Sequence, residues 1–456
     1  MLALVLGLAT LGVQGSVPQP GTDHDVPGIA AAHLTADYWV GRLEHPHRPL
    51  ADTDAVAAQN ARMRAQDPAL HDLEALPPDL DAAQVRGWIE GLSKRPTRAL
   101  YDARGERVRD ARIDAIVENV ALDAVPARQP TRYGMVVRRA DLRAFPTRLR
   151  VFNSPDDHDI DRFQESALFP GTPVVVAHAS ADGEWLFVVS ETYGAWIEAR
   201  HVALGDRDDV FAYGRRAPYL VVTGATARTV FTPEAPEVSD VQLEMGVRVP
   251  LRADWPGDTP VNGQHPFASH VVELPVRRDD GTLDFAPALV PRSADVATDY
   301  LPLTGANLVR QGFKFLGERY GWGHSYNARD CSGFVSEIHR SMGVLMPRNT
   351  RDQSVSPALD TLRFEGLDHA RRLELLRDTR VGDLIYIPGH VMMVIGHEDG
   401  MPYVIHDTSG MTYRRDDGSL RRLALNGVVV TPVLPMLSDA DTPTVDRITT
   451  IQRMRP

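Results

Sequence analysis

Cys331 is the only cysteine among 456 residues, so any thiol chemistry of this chain runs through one sulfur. Intramolecular disulfides and cysteine-based zinc or iron–sulfur sites are excluded. An isolated cysteine is more often an inert buried hydrophobe, but the neighbours of this one argue otherwise. Phe334, Val335, Ile338 and Met342 fall on one helical face and Gly343 is placed to end it, which predicts a helix that begins at Cys331. Asp330 would cap its free amides, and the positive helix end would favour thiolate over thiol. Ser332 and Gly333 are small and leave room for a substrate. A nucleophilic thiol needs a base. His390 opens HVMMVIG, and His406 lies in PYVIHD on what should be the adjacent strand. His390 would then take the thiol proton and return it to a leaving amine, while His406 would orient the first ring. The rival is a zinc site from His390, His397 and His406. A continuous strand would point residues 390 and 397 to opposite faces, so no metal or other cofactor is expected.

These residues need elements to hold them. From Ala306 to Arg319 the pattern is helical, and after the cysteine helix come four strand-like runs, LIYIPG, HVMMVIG, PYVIHD and GVVVTPV, which makes residues 296–456 an α+β module. Residues 30–125 carry short amphipathic pieces such as DTDAVAAQNARMRAQ and DAAQVRGWIEGL, and predict a helical region without chemistry of its own. Over 126–210 the period changes to two, with Asp182-Gly183 as a hairpin turn, and 211–295 repeat that texture with Asp280-Gly281. Two small antiparallel β-barrels are the expectation. Asp157, Asp159 and Asp161 alternate as in a calcium loop, but Arg162 and Leu168 stand where the turn glycine and the bidentate glutamate belong, so a solvated loop is expected.

The length implies several domains, and 43% hydrophobic with 24% charged residues is ordinary for a globular protein. A net charge of -12 argues against nucleic acid as a partner. Only Lys94 and Lys314 are lysines, a bias we read as genomic. Residues 1–15, MLALVLGLATLGVQG, are too short to span a bilayer and end in small residues, so we expect a signal peptide, although no basic residue precedes the apolar run. The mature chain would be a periplasmic or secreted monomer without an integral membrane segment.

The run DCSGFV, with Tyr320-Gly-Trp322-Gly323 ahead of it, followed by GDLIYIPGHVMMVIG and VIHDTSG, resembles the NlpC/P60 peptidases, papain-like cysteine hydrolases of bacterial cell walls. RADLRAFPT and DRFQESALFPGTPV resemble bacterial SH3 domains, and the N-terminal region resembles the helical stabilising domain of one multidomain subgroup. The resemblance implies a peptidoglycan hydrolase that cleaves the bond between γ-D-glutamate and a diamino acid in stem peptides, with Cys331 as nucleophile, His390 as base and His406 as third residue. It implies that Tyr320 and the Cys331 amide hold the oxyanion, and it puts Asp330 and Ser332, with Arg348 and Asn349, on the substrate groove. It also implies that loops of the first barrel, Asp156 to Gln164, reach that groove. His324 departs from the commonest pattern, where a second glycine is frequent. In peptide-recycling relatives an acid that pairs with a free L-alanine amine is expected just after the Pro-Arg; here Arg348 is followed by Asn349 and Thr350. Asparagine cannot neutralise an amine, so stems still attached to glycan are the expected substrate, with Asp352 as the residue that could reverse this. The alternatives are a recycling peptidase acting on free stem peptides and a non-catalytic wall-binding protein.

Overall fold

The computed structural model describes residues 26–454. The apolar run at 1–15 lies outside them. Among the described residues no helix is long and apolar enough to cross a membrane.

The N-terminal helices are α1 (Ala36–Val40), α2 (Thr53–Gln66), α3 (Ala82–Leu92) and α4 (Asp110–Asn119), and a short ladder pairs β1 (Asp79–Asp81) with β2 (Arg128–Pro130). Asp52 and Asp81 cap α2 and α3 by accepting from Ala55 N and Gln84 N, each at 2.8 Å. These helices divide their buried residues between two cores. Trp39, Val56 and Met63 of α1 and α2 pack with Leu308, Phe334 and Ile338 of the C-terminal domain, whereas Val85, Ile89, Ile113 and Ile116 of α3 and α4 pack with Phe145, Phe187 and Trp196 of the first sheet. On α3, Gly87 and Gly91 face open space, where a Cβ would meet nothing. A glycine inside a helix costs about 1 kcal/mol relative to alanine, so neither is explained by packing.

The first sheet contains β3 (Arg132–Val136), β4 (Ala140–Arg143), β5 (Gln164–Leu168), β6 (Pro173–Ala179), β7 (Trp185–Val189), β8 (Gly194–Glu198) and β9 (Val202–Gly205). Their order is β5-β4-β8-β7-β6-β3-β9, all antiparallel. Both faces are buried because alternate residues of β6 serve different clusters: Val175 and Ala177 one, Val174 and Val176 the other. Asp182-Gly183 does join β6 to β7, with Gly183 at φ +71°. The helix α5 (Arg207–Tyr213) then leads to a second strand-rich unit. There β10 (Tyr219–Val222), β13 (Arg248–Pro250) and β16 (Val296–Ala297) form one sheet, β11 (Thr226–Arg228) pairs β12 (Gln242–Glu244), and β14 (Ser269–Arg277) pairs β15 (Leu283–Pro291) across Asp280-Gly281. Three separate ladders thus surround one core of Leu220, Leu243, Val249, Leu274 and Val290, rather than one continuous barrel sheet.

In the C-terminal domain α6 (Gly305–Phe313) stops short of the expected Arg319, and the chain turns at Gly317, where φ is +83°. The helices α7 (Cys331–Arg340), α8 (Thr350–Val355) and α9 (His369–Arg377) accompany an antiparallel six-stranded sheet. Its strands are β17 (Asp360–Arg363), β18 (Leu384–Ile387), β19 (His390–Glu398), β20 (Met401–Thr408), β23 (Gly427–Pro432) and β24 (Thr450–Arg453), in the order β17-β24-β18-β19-β20-β23. The pair β21 (Met411–Arg414) and β22 (Leu420–Leu423) lies apart. Phe334, Val335 and Ile338 of α7 meet Val391, Met393 and Ile405 on one face of the sheet, while Leu376 of α9 meets Met392, Val394 and Val404 on the other.

Candidate active site

Asp330 sits at the N-cap of α7, its Oδ1 accepting from Gly333 N at 2.8 Å, and this makes Cys331 the first helical residue. The sulfur contacts Thr350 Oγ1 at 3.6 Å and the Gly389 carbonyl at 4.0 Å. Ile387 pairs with His390, so Pro388 and Gly389, the latter at φ +81°, form a two-residue hairpin turn that brings the Gly389 carbonyl to the thiol and starts β19 at His390. The next strand supplies His406, whose Nδ1 lies 2.8 Å from His390 Nε2.

One set of proton positions satisfies every contact in the chain of partners. The Thr431 hydroxyl donates to Met436 Sδ at 3.7 Å, so its oxygen is free to accept from His406 Nε2 at 3.0 Å. With its proton on Nε2, His406 accepts at Nδ1 from His390 Nε2–H. His390 Nδ1 is left with a free lone pair, the form a base requires. His397 takes no part; its ring meets Thr379 Oγ1 at 3.1 Å.

One expectation is corrected here. The helix start was expected to favour thiolate, but burial, reinforced by the Asp330 charge, pushes the Cys331 thiol up to about 12. Burial likewise lowers His390 to about 4 and holds His406 well below the usual imidazole range. Thiol and imidazole are both neutral at rest, because the sulfur is only 5% exposed and the capping carboxylate opposes the helix end.

Asp330, Ser332 and Arg348, all expected to line the groove, are instead tied to one another. Arg348 Nη2 donates to Asp330 Oδ2 at 2.8 Å, Nη1 to Ser332 Oγ at 2.9 Å and Nε to Ser166 Oγ of the first sheet at 2.6 Å. Although burial opposes it, the Arg348 charge leads the contacts that bring Asp330 down to about 2. These contacts hold the start of α7. His324 completes the set: it accepts at Nδ1 from Arg348 and donates from Nε2 to Glu337, each at 3.1 Å, and burial holds it neutral, near 4. Here the departure from the family pattern has a structural use, and Gly333 must stay small because a Cβ would come within 2.5 Å of the His324 ring. Tyr320 is buried near Cys331, and its hydroxyl takes no protein partner among the described residues. Asn349 is exposed and donates to Asp352 Oδ2 at 3.0 Å, which holds that carboxylate beside it.

The first sheet reaches this region directly. Arg319 and Asn426 bind Asp159, Tyr326 donates to the His158 carbonyl, and Gln164 Nε2 donates to Gly323 O at 2.8 Å. The aspartates of the acidic loop are engaged: Asp161 pairs with Arg143 at 2.5 Å and Asp157 accepts backbone amides of its own loop. Sequence reasoning missed Glu165 and Tyr193, whose hydroxyl donates to Glu165 at 2.6 Å; burial raises the carboxyl pKa although Tyr193 and Arg348 oppose it. Both lie in strands or turns whose text shows only alternation, so their convergence is a tertiary fact. Thr431 was missed for the same reason.

Asp407, next to His406, is fully buried, and neither of its oxygens has a partner. Burial, aided by the charges of Asp330 and Glu318, pushes it up to about 9, so it is a neutral acid at pH 7. Unfolded, it would ionise near 4. Between those values folding takes up a proton, and stability falls as pH rises through the window. Asp407→Asn removes this dependence. Its stability relative to wild type is expected to be about 5 kcal/mol more favourable at pH 8 than at pH 4. Urea midpoints at the two pH values measure this; a difference unaffected by pH would show that Asp407 is ionised in the folded chain.

A buried thiol thus stands at a helix start beside the hairpin turn that leads into His390, whose ring is hydrogen-bonded to His406 on the next strand of an antiparallel sheet. The family comparison agrees: residues 317–419 match the NlpC/P60 family and residues 150–198 match the SH3 domain of SH3b1 type, so the chain carries an NlpC/P60 domain and an SH3b domain. A γ-D-glutamyl-L-lysine dipeptidyl-peptidase of Bacillus cereus (strain ATCC 10987 / NRS 248) is 27% identical over 188 residues, which are 38% of this chain and 49% of that protein. The chain thus spans about half the length of that curated relative. An NlpC/P60 endopeptidase from Photobacterium damselae subsp. piscicida has the same fold, with a TM-score of 0.71 at 18% identity, covering 91% of this chain and 94% of that one.

Proposed function

We propose that this chain is a cysteine peptidase of the cell envelope, periplasmic or secreted and monomeric, that cleaves the γ-D-glutamyl–diamino acid bond of peptidoglycan stem peptides. The observation that carries it is the relay Thr431–His406–His390, which leaves an unprotonated ring nitrogen for the thiol. In this reading His390 Nδ1 takes the Cys331 proton as sulfur attacks the γ-carbonyl. The Cys331 amide and the Tyr320 hydroxyl hold the oxyanion, an arrangement usually worth about 3 kcal/mol per donor. His390 then protonates the diamino acid nitrogen as the C–N bond breaks. Water, deprotonated by the same ring, releases the acyl group and restores the thiol. The bond is chosen because the similar Bacillus cereus protein is a γ-D-glutamyl-L-lysine dipeptidyl-peptidase. Residues 30–125 serve as a stabilising domain and 211–295 as a second SH3-like module. Mass spectrometry of digested stem peptides tests the reading: a new free amine on the diamino acid is expected, and binding without products would mean a wall-binding protein instead.

Stems still attached to glycan are the preferred substrate, because Asn349 supplies no charge for a free alanine ammonium. Glu165 favours a second reading, free stem peptides, since it places a carboxylate on the first-sheet side of the site. Glu165→Gln separates the two. On the glycan-linked reading its kcat/KM on free tripeptide and on glycan-linked stem changes by the same factor. A loss of tenfold or more confined to the free tripeptide would establish Glu165 as the ammonium partner.

A further inference from the structure

A pocket of about 690 Å³ lies where α3, the turn between β7 and β8, and the segment from Asn349 to Pro357 meet. Its volume is that of an ordinary small-molecule site, about 300 to 1,000 Å³. Its floor is α3, where Gly87 and Gly91, four residues apart, stand on one helical face with nothing over them. Glycine at both positions weakens the helix and serves no packing contact, and its effect is to widen this pocket. Between them Trp88 presents a half-buried indole, with the His71 ring set edge-on to it at 6.5 Å. The polar wall holds Asn349 and Asp352, already joined to each other, and Asp67, which accepts from Ser356. No lysine or arginine lines the pocket, and burial lowers the pKa of His71. Such a lining suits neither a phosphate nor a carboxylate. An aromatic face beside carboxylate and amide groups suits a neutral ligand with one apolar C–H face and several hydroxyls, which is the chemistry of a sugar ring.

The pocket borders the segment that carries Thr350. Thr350 touches the Cys331 sulfur, and the preceding residue, Asn349, lines the pocket. Tyr193, which bonds Glu165, lines it as well. The peptidase reading puts the leaving amine at His390, and an acyl half that leaves the sulfur on its Thr350 side meets Asn349 next. We infer that this pocket holds the N-acetylated amino sugar to which the stem is attached, with the ring stacked on Trp88 over Gly87 and Gly91. The inference rests on the peptidase reading above and names the part of the substrate that lies beyond the stem.

Gly91→Leu tests it, because the new side chain enters open space and leucine is a better helix former, so the fold is not at risk. Wild type is expected to cleave N-acetylmuramyl tripeptide with a kcat/KM at least tenfold above that for the free tripeptide. Gly91→Leu should erase that advantage by raising KM, and leave the free tripeptide within twofold. Trp88→Ala should act in the same direction. A binding measurement supports the kinetics: the Cys331→Ala chain, titrated with N-acetylmuramyl-L-alanyl-D-isoglutamine and with L-alanyl-γ-D-glutamate, should prefer the first, and adding Gly91→Leu should abolish the preference. Cleavage of both tripeptides at equal kcat/KM, or an advantage that survives Gly91→Leu, overturns the sugar site while the peptidase reading stands. If wild type cleaves neither, both fall.

Discussion

Cys331→Ala is expected to reduce turnover of stem peptides by at least about 10⁴-fold, since the chain has no second thiol. The chain should still fold. The sulfur contributes one atom to a core built from α6, α7 and the central strands, and its loss costs about 1 kcal/mol. Normal thermal unfolding together with absent release of diamino acid amines from purified sacculi is the predicted pair of results; wild-type activity in the variant would displace Cys331 from its role. The neutral resting pair adds a second measurement on the same protein. With the thiol pushed up to about 12 and His390 down to about 4, the difference spectrum between wild type and Cys331→Ala should show no thiolate absorbance near 240 nm at pH 7. A full thiolate signal at that pH would mean that the helix end outweighs burial after all.

His390→Ala should lower kcat by about 10³ to 10⁴-fold, because the ring both accepts the thiol proton and delivers it to the leaving nitrogen. His406→Ala should cost less, about 10 to 100-fold, since it only sets which nitrogen of His390 carries hydrogen. Thr431→Val should cost less again, because it frees His406 to choose its tautomer without removing the ring. The ordering is the test. If His406→Ala proved as damaging as His390→Ala, the second ring would be handling the proton itself; equal activity of wild type and His390→Ala would remove the base from the mechanism.

The parts of this site legible in the sequence are those encoded locally. A capped helix start, an apolar face at helical spacing and Asp-Gly turns are patterns of a few residues, and Cys331, α7 and both hairpins followed from them. The pairing of His390 with His406 followed from strand adjacency. What sequence could not supply is what distant segments do to one another. Arg348 reads as a groove residue until Ser166, from another domain, takes one of its donors. Glu165 reads as one position in an alternating strand until Tyr193 is laid against it. The expected thiolate failed for a related reason: the helix end is local, but the burial that outweighs it depends on everything folded around the sulfur. Likewise α6 stops at Phe313, before its apolar pattern ends, because the chain must turn to form the loop that carries Tyr320.

The division of the N-terminal helices between two cores has a consequence for the timing of synthesis. The partners of α3 and α4 lie in the strands that follow, so that part of the chain can consolidate early. By contrast α1 and α2 pack against α6, α7 and Met454, the last of which is made roughly 390 residues after α2 ends. At about 5 to 20 residues per second the ribosome needs about 20 to 80 s to supply it. Until α6, α7 and the central strands have followed, Trp39, Val56 and Met63 lack the surfaces they cover in the folded chain, and the thiol lacks its finished pocket. The site is thereby assembled late, and α1 and α2, made early, are among the last of the described elements to settle.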